Sequence, residues 1–305
     1  MNRRTLLVAF LAPLLAVAPV AAAVTVPDGL GEELTLAEPA ERIVSLAPHA
    51  TEMLFAAGAG ERVVAVSSHS DHPPAATERT DIGGYSGPDM EAILAAEPDL
   101  VVAWAEGNPR GPVRRLRELG VPVFVSDPRA LADIPAELRA LGRLAGTAEQ
   151  AEAAASDFGA RLEALRTEYA DAPPLKVFYA IWDRPLMTLS RGHPVTEVMA
   201  LCGGENVFAD AEGASPRISE EAVLAAAPEV IIAGGMGQEQ PEWLERWRQW
   251  PELPAVAAGN LFFIKPDILQ RTGPRLVEGA ERLCEVLDQA RMRRPDERKD
   301  SEGTR

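Results

Sequence analysis

Two stretches of this chain, 130 residues apart, are nearly the same peptide: residues 91–103 read EAILAAEPDLVVA and residues 221–233 read EAVLAAAPEVIIA. Seven of the thirteen aligned positions are identical. Each copy carries apolar residues at helical spacing, then Pro and an acid (Pro98-Asp99, Pro228-Glu229), then a short β-branched run. That order predicts a helix, a turn, and a strand buried on both faces, as in a parallel sheet. Each helix has an N-cap residue two positions before its glutamate, Asp89 before Glu91 and Ser219 before Glu221. A repeat so widely spaced predicts two similar lobes rather than a solenoid, whose period is far shorter.

The rest of the chain extends this pattern. Residues 24–40 alternate around a DGLG turn and predict a hairpin. A strand at 43–46, a Pro-His loop, a helix at 50–57 and a strand at 63–67 follow. After the first repeat copy come a helix at 111–119, Gly120, and a strand at 122–125. Gly58 and Gly60 lack the rest of a dinucleotide fingerprint and read as a helix stop. Residues 147–170 break the rhythm: Ala, Leu, Glu and Arg dominate, Thr147 can cap the start, and Pro173-Pro174 bars continuation. They predict one helix of about six turns joining the lobes. The second lobe repeats the order with a strand at 175–181, a helix at 194–201, a strand at 206–208, the second repeat copy, a helix at 241–250, a strand at 261–264 and a helix at 273–290. Trp243, Trp247 and Trp250 share one helical face and read as a packing stripe. The expected fold is α/β, two lobes of mainly parallel sheet flanked by helices and joined by one long connecting helix.

The first 23 residues have the grammar of a signal peptide: Arg3 and Arg4, an apolar run from Leu6 to Val20, and Ala21-Ala22-Ala23 as a cleavage site. No Cys sits near that site, so a soluble periplasmic protein without lipid attachment is expected. The expected division is an N-terminal lobe at 24–146, the connecting helix at 147–172, a C-terminal lobe at 173–290, and a disordered charged tail at 291–305. Thirty Lys and Arg against 46 Asp and Glu argue against a nucleic-acid partner and suit a basic docking partner. In an oxidising compartment, Cys202 and Cys284 predict one disulfide, with two buried thiols as the alternative. No nucleophile elbow, P-loop or zincin motif appears, which does not exclude catalysis, but nothing in the sequence pairs a nucleophile with its base; no enzyme and no cofactor is expected.

At this point the chain resembles a known family, the periplasmic substrate-binding proteins of ABC importers for cobalamin, haem and ferric siderophores. The phrases that carry the resemblance are RIVSLAPHATEMLFAAGAGERVVAVSSHSDHPP, the two repeat copies, VVAWAEGN, LCGGENVF and AVAAGNLFFI, spanning about residues 25–290. Within the family, the cobalamin-binding branch is most similar: SSHSDHPP, the PDLVVAW-GN run, and cysteines in LCGG and RLCEVL point there. The resemblance implies ligand held between the lobes, a corrinoid as that ligand, a monomer, and membrane permease subunits as partners. Parallel sheets place sites in the loops beyond the carboxyl ends of strands. Those loops are Pro48-His49, Ser67 to Pro74, Trp104 to Asn108, Ile181 to Pro185 and Asp267 to Arg271.

By resemblance, the ligand-binding residues are His69, Tyr85, Trp104, Trp182, Asp267, Ile268, Leu269, Gln270 and Arg271. A large flat ligand needs aromatic faces and a few polar anchors. His69 and His72 stand where the cobalamin branch has tyrosines, and Ser215 stands where it has Trp. Axial ligation of the ligand's metal by His49, His69 or His72 is a sharper alternative, but no four-residue metal cluster is visible and no metal site is expected. Glu91 and Glu221, each at the second position of equivalent helices, are the docking pair that the resemblance sets against arginines of the two membrane subunits. A carboxylate there also stabilises the helix start, which is the plainer role. A ferric siderophore would call on Arg184, Arg191 and Arg271, and an exported hydrolase on Asp71 with a histidine.

Overall fold

A computed structural model describes residues 23–235 and 241–294. The signal peptide expected at 1–23 lies, but for Ala23, outside the described residues, as does the tail beyond Arg294. The chain opens with an antiparallel hairpin, β1 (Val24–Pro27) and β2 (Glu33–Leu36). Asp28 closes its turn by accepting from the backbone N–H groups of Leu30 and Glu32, both at 2.9 Å.

The N-terminal lobe runs β3 (Ile43–Ser45), α1 (Pro48–Ala56), β4 (Val63–Val66), β5 (Thr80–Asp81), α2 (Met90–Ala95), β6 (Leu100–Trp104), α3 (Arg110–Glu118), β7 (Val123–Ser126) and α4 (Asp133–Leu144). Its strands pair in parallel in the order β5-β4-β3-β6-β7. The connecting helix, α5, spans Ala148–Glu168 and is followed by the C-terminal lobe. That lobe comprises β8 (Leu175–Trp182), β9 (Met187–Thr188), α6 (Pro194–Leu201), β10 (Gly204–Asn206), α7 (Glu220–Ala226), β11 (Val230–Ala233), α8 (Pro254–Ala257), β12 (Leu261–Phe263), α9 (Pro266–Leu269) and α10 (Leu276–Met292). Its parallel order is β10-β8-β11-β12, with β9 antiparallel on β8.

The two repeat copies do equivalent structural work. Asp89 caps α2 by accepting from Glu91 and Ala92 N–H, and Ser219 caps α7 by accepting from Ala222 N–H. Both helices end on a non-glycine residue in the left-handed region, Glu97 at φ 46° and Ala227 at φ 47°, again 130 positions apart. The acid after each Pro ties the repeat to the first strand of its sheet. Asp99 accepts from the N–H groups of Glu41 and Arg42 just before β3, and Glu229 accepts from Lys176 N–H in β8.

Three apolar clusters hold the molecule. One lies on the outer face of the N-terminal sheet around Val44, Ile93, Val101 and Leu116. Its counterpart in the C-terminal lobe gathers Phe178, Val223, Ile231 and Trp247. The third is continuous through both lobes, joining Met53, Leu138 and Phe124 to Phe158 and Leu162 of α5 and to Leu283 and Leu287 of α10. Arg161 of α5 and Glu281 of α10 add a bidentate pair at 2.9 and 2.8 Å. The Cys202–Cys284 disulfide is formed, linking the end of α6 to α10 across a Cα–Cα distance of 4.9 Å.

Some boundaries depart from the sequence expectation. The strand expected at 206–208 is β10 at 204–206, where Gly204 permits close approach to α10. The helix expected at 241–250 is a 3₁₀ run, Glu242–Gln249. Three residues per turn bring Trp247 and Trp250 onto one side, with ring centroids 5.3 Å apart. Helix α4 was not anticipated, although Ile134, Leu138, Leu141 and Leu144 have helical spacing and are buried.

Candidate functional site

A cavity of about 520 Å³ opens where the carboxyl ends of the two parallel sheets face each other. The N-terminal lobe contributes the start of α1 (Pro48, His49), the loop after β4 (His69, Asp71), Tyr85, the last residue of β6 (Trp104) with Glu106 just after it, and the loop after β7 (Asp127, Pro128, Arg129). From the other lobe come Gly192, His193 and Pro194 at the start of α6, Gly235 after β11, and Pro266, Asp267, Gln270, Arg271 and Thr272 after β12.

Aromatic rings line one wall. Trp104 packs against Tyr85 with centroids 5.5 Å apart and edge-on against His49 at 5.3 Å. Asn108 holds this wall in place: its side chain accepts from Trp104 N–H and donates to the carbonyls of Leu46 and Tyr85. His69 is exposed on the rim, in the left-handed region at φ 67°. Such a conformation is uncommon for a non-glycine residue and concentrates at functional sites.

The polar corner is a network across the lobes. Glu52 of α1, 2% exposed, accepts from Arg275 at 2.6 and 2.9 Å and from Arg271 at 3.0 Å. Arg271 also reaches Asp71 at 2.7 Å, Asp267 at 3.0 Å and the His69 carbonyl at 3.3 Å. Burial raises the Asp71 carboxyl, yet the Arg271 guanidinium outweighs it and holds the pKa below its ordinary value. Arg271 is thus surrounded by three carboxylates, and Asp71 serves this network rather than a histidine. Across the cleft, Leu131 N–H donates to Glu197 of α6 at 3.0 Å, a second bridge between the lobes.

Two histidines face each other over the cavity. His49 is buried, and burial with the nearby Arg271 lowers its pKa to about 4. Its Nε2 lies 3.1 Å from Ser126 Oγ, which donates to Glu137 Oε2 at 2.5 Å. Glu137 Oε1 accepts from Asp127 N–H at 2.9 Å. No cation pairs with Glu137 among the described residues, and burial pushes its pKa up to about 7. His193 caps α6, its Nδ1 accepting from Val195 N–H at 3.2 Å, and burial lowers it to about 4.

Of the residues expected at the site, His69, Tyr85, Trp104, Asp267, Gln270 and Arg271 come together on the cavity. Leu269 does not: it is wholly buried in the shared core, and Ile268 packs against that core, because α9 turns its apolar side toward α10. Trp182 also lies off the lining, 38% exposed as the last residue of β8, the strand beside β11. Ser215 is exposed and off the lining too. Arg184 and Arg191 pair with Asp183 and Asp210 outside the cavity. Sequence reading did not select Asp127, Pro128 and Arg129, although the rule of loops after strand ends applied to β7 would have found them. His193 gave no signal beyond its place before Pro194. Glu91 and Glu221 are both exposed, each at the second position of its short helix. Groups of three or more His, Cys, Asp or Glu able to hold a metal ion are absent among the described residues.

Similar proteins share this architecture. The vitamin B12-binding protein of Vibrio cholerae is 41% identical over 256 residues, covering 82% of this chain and 90% of its own length. The crystal structure of the periplasmic vitamin B12 binding protein BtuF of Vibrio cholerae superposes with a TM-score of 0.76 at 40% identity, covering 83% of this chain and 98% of that one. The apo periplasmic heme-binding protein RhuT of Roseiflexus sp. RS-1 has a TM-score of 0.74 at 26% identity, covering 82% and 98%. A family model described as periplasmic binding protein matches residues 43–268, most of both lobes and the helix between them. The chain therefore belongs to the periplasmic binding protein family.

Proposed function

We propose that this protein captures cobalamin or a related corrinoid in the periplasm and delivers it to an ABC importer. The observation that carries this reading is the cleft between the lobes, with an aromatic wall at strand ends, in a chain 41% identical to a vitamin B12-binding protein. The ligand is cargo, held by His69, Tyr85, Trp104, Asp267 and Gln270, with Trp182 at the margin. The lining favours a neutral ligand over an anionic one. Asp71, Glu106, Asp127 and Asp267 outnumber Arg129 and Arg271, and both guanidiniums are paired with carboxylates. Corrin side chains end in uncharged carboxamides, whereas haem carries two propionates and would meet this acidic excess. Residues 24–146 and 173–290 act as the two lobes, 147–172 as the strut, and 1–23 as the export signal of a monomer. Glu91 and Glu221 meet basic side chains on the membrane permease subunits, one lobe to each subunit.

The test is a tryptophan-fluorescence titration of the mature protein with cyanocobalamin, haemin and a ferric hydroxamate, with Trp104 as the reporter in the cleft. Saturable one-to-one quenching by cyanocobalamin alone is expected. A response confined to haemin or the hydroxamate would overturn the ligand, and silence from all three would overturn the binding role.

A further inference from the structure

Behind the aromatic wall, three side chains form a chain of hydrogen bonds that the reading above does not use. His49 lines the cavity, Ser126 ends β7, and Glu137 comes from α4 on the far side. Ser126 has one hydroxyl proton, and it is directed to Glu137 Oε2. Its oxygen can then only accept from His49, so the imidazole proton sits on Nε2. That leaves Nδ1 as a bare lone pair. No protein donor reaches it among the described residues, yet it is not one of the fully buried polar atoms left without a partner, so it is open to the cavity that His49 lines. Its partner comes from that cavity.

We infer that ionised Glu137, acting through Ser126, holds His49 in the Nε2–H tautomer and makes its Nδ1 an acceptor for a ligand N–H, so that His49 selects carboxamide-bearing over carboxylate-bearing ligands. This inference rests on the cleft being the ligand site. A carboxamide N–H can donate to Nδ1, whereas a carboxylate presents only lone pairs to it. His193 on the opposite wall has the reverse polarity: its Nδ1 accepts from Val195 N–H, so its Nε2 carries the proton and donates. The cleft therefore offers one acceptor imidazole and one donor imidazole, matching a group with both capacities. Ser126 and Glu137 are positioning residues, since neither needs to touch the ligand.

Glu137→Gln reverses the chain without changing its shape. The amide oxygen keeps the Asp127 N–H bond, so the amide nitrogen faces Ser126 and donates to it. The Ser126 proton then turns to His49 Nε2, and the imidazole proton moves to Nδ1. The experiment reads the protonation of both His49 ring nitrogens by long-range ¹H–¹⁵N correlation in the ligand-free mature protein at pH 8, above the Glu137 pKa of about 7. Wild type should show Nε2–H and a bare Nδ1, and Glu137→Gln should show the opposite. In parallel, affinities are measured for cyanocobalamin and its monocarboxylic acid derivatives. Wild type should prefer cyanocobalamin over at least one derivative by about tenfold, and Glu137→Gln should lose that preference. Ser126→Ala, which cuts the chain without touching the carboxyl, should lose it as well and serves if Glu137→Gln does not fold. Nδ1–H in the wild type, or an unchanged preference in both variants, would overturn the inference. Failure of cyanocobalamin to bind at all would instead sink the corrinoid reading, while the tautomer measurement would still decide the arrangement of His49.

Discussion

The buried ionisable residues around the cleft pull stability in opposite directions as pH changes. Glu137 holds its proton to about pH 7, whereas an unfolded glutamate releases it near 4.5. The native state binds more protons across that window, so this residue's contribution falls as pH rises through it, by about 3 kcal/mol in total. His49 and His193 act the other way. Each resists protonation down to about pH 4, while an unfolded histidine takes a proton near 6.5, so stability drops as pH falls from 6.5 toward 4. The sum predicts a maximum near neutrality. Urea unfolding of wild type and Glu137→Gln at pH 5 and pH 8 checks the decline on the alkaline side, which Glu137 sets. The variant should gain on the wild type by about 2–3 kcal/mol at pH 8 relative to pH 5. An equal difference at both pH values would contradict a raised carboxyl pKa.

Individual elements carry separable roles. Helices α2 and α7 are short, capped by Asp89 and Ser219, and hold Glu91 and Glu221 in the open. Their carboxylates also favour the positive ends of the helix dipoles. Replacing both with Arg should abolish importer binding in a pull-down with reconstituted permease while cyanocobalamin affinity stays intact. Retained importer binding would leave them only the stabilising role. The disulfide belongs to the C-terminal lobe alone, closing a loop between residues 82 positions apart. In the chain-entropy account such a loop contributes about 4 kcal/mol. Cys202→Ala with Cys284→Ala should lower unfolding stability by up to that amount while the ligand affinity of the folded fraction is unchanged.

At the scale of the molecule, the lobes are not loosely tethered. One apolar core runs from α1 and α4 through α5 into α10 and the C-terminal sheet. Glu52, Arg271 and Arg275 bridge the lobes beside the cleft, and Glu197 bridges them across it. Opening would expose core surface and strip the buried Glu52 of its partners, a change of several kcal/mol. Large hinge motion is therefore disfavoured, and bending α5 would break its backbone bonds as well. Small-angle scattering of apo and ligand-bound protein should give the same radius of gyration within error. A clear contraction on binding would show that the lobes hinge despite this core.

Much of this architecture can be read from the chain itself, and the reason lies in local periodicity. The repeat at 91–103 and 221–233 determines the paired helix-turn-strand units, because caps, left-handed ends and Pro-acid turns are all local features. The long Ala-rich stretch determines α5 in the same way. The resemblance located six of nine ligand candidates on the cavity, because they follow strand ends. It placed Leu269 and Ile268 there too, since a contiguous loop carries no mark of which side chain faces the core. The Glu52–Arg271 network joins residues 219 apart in sequence, and His49, Ser126 and Glu137 come from three separate elements. No local pattern encodes such meetings. Sequence alone determined two α/β lobes, their joining helix and the family. Only the packing of one lobe against the other decided which charges are neutralised, which imidazoles are buried, and which way their lone pairs are set, because those properties arise from distance and desolvation rather than from neighbours along the chain.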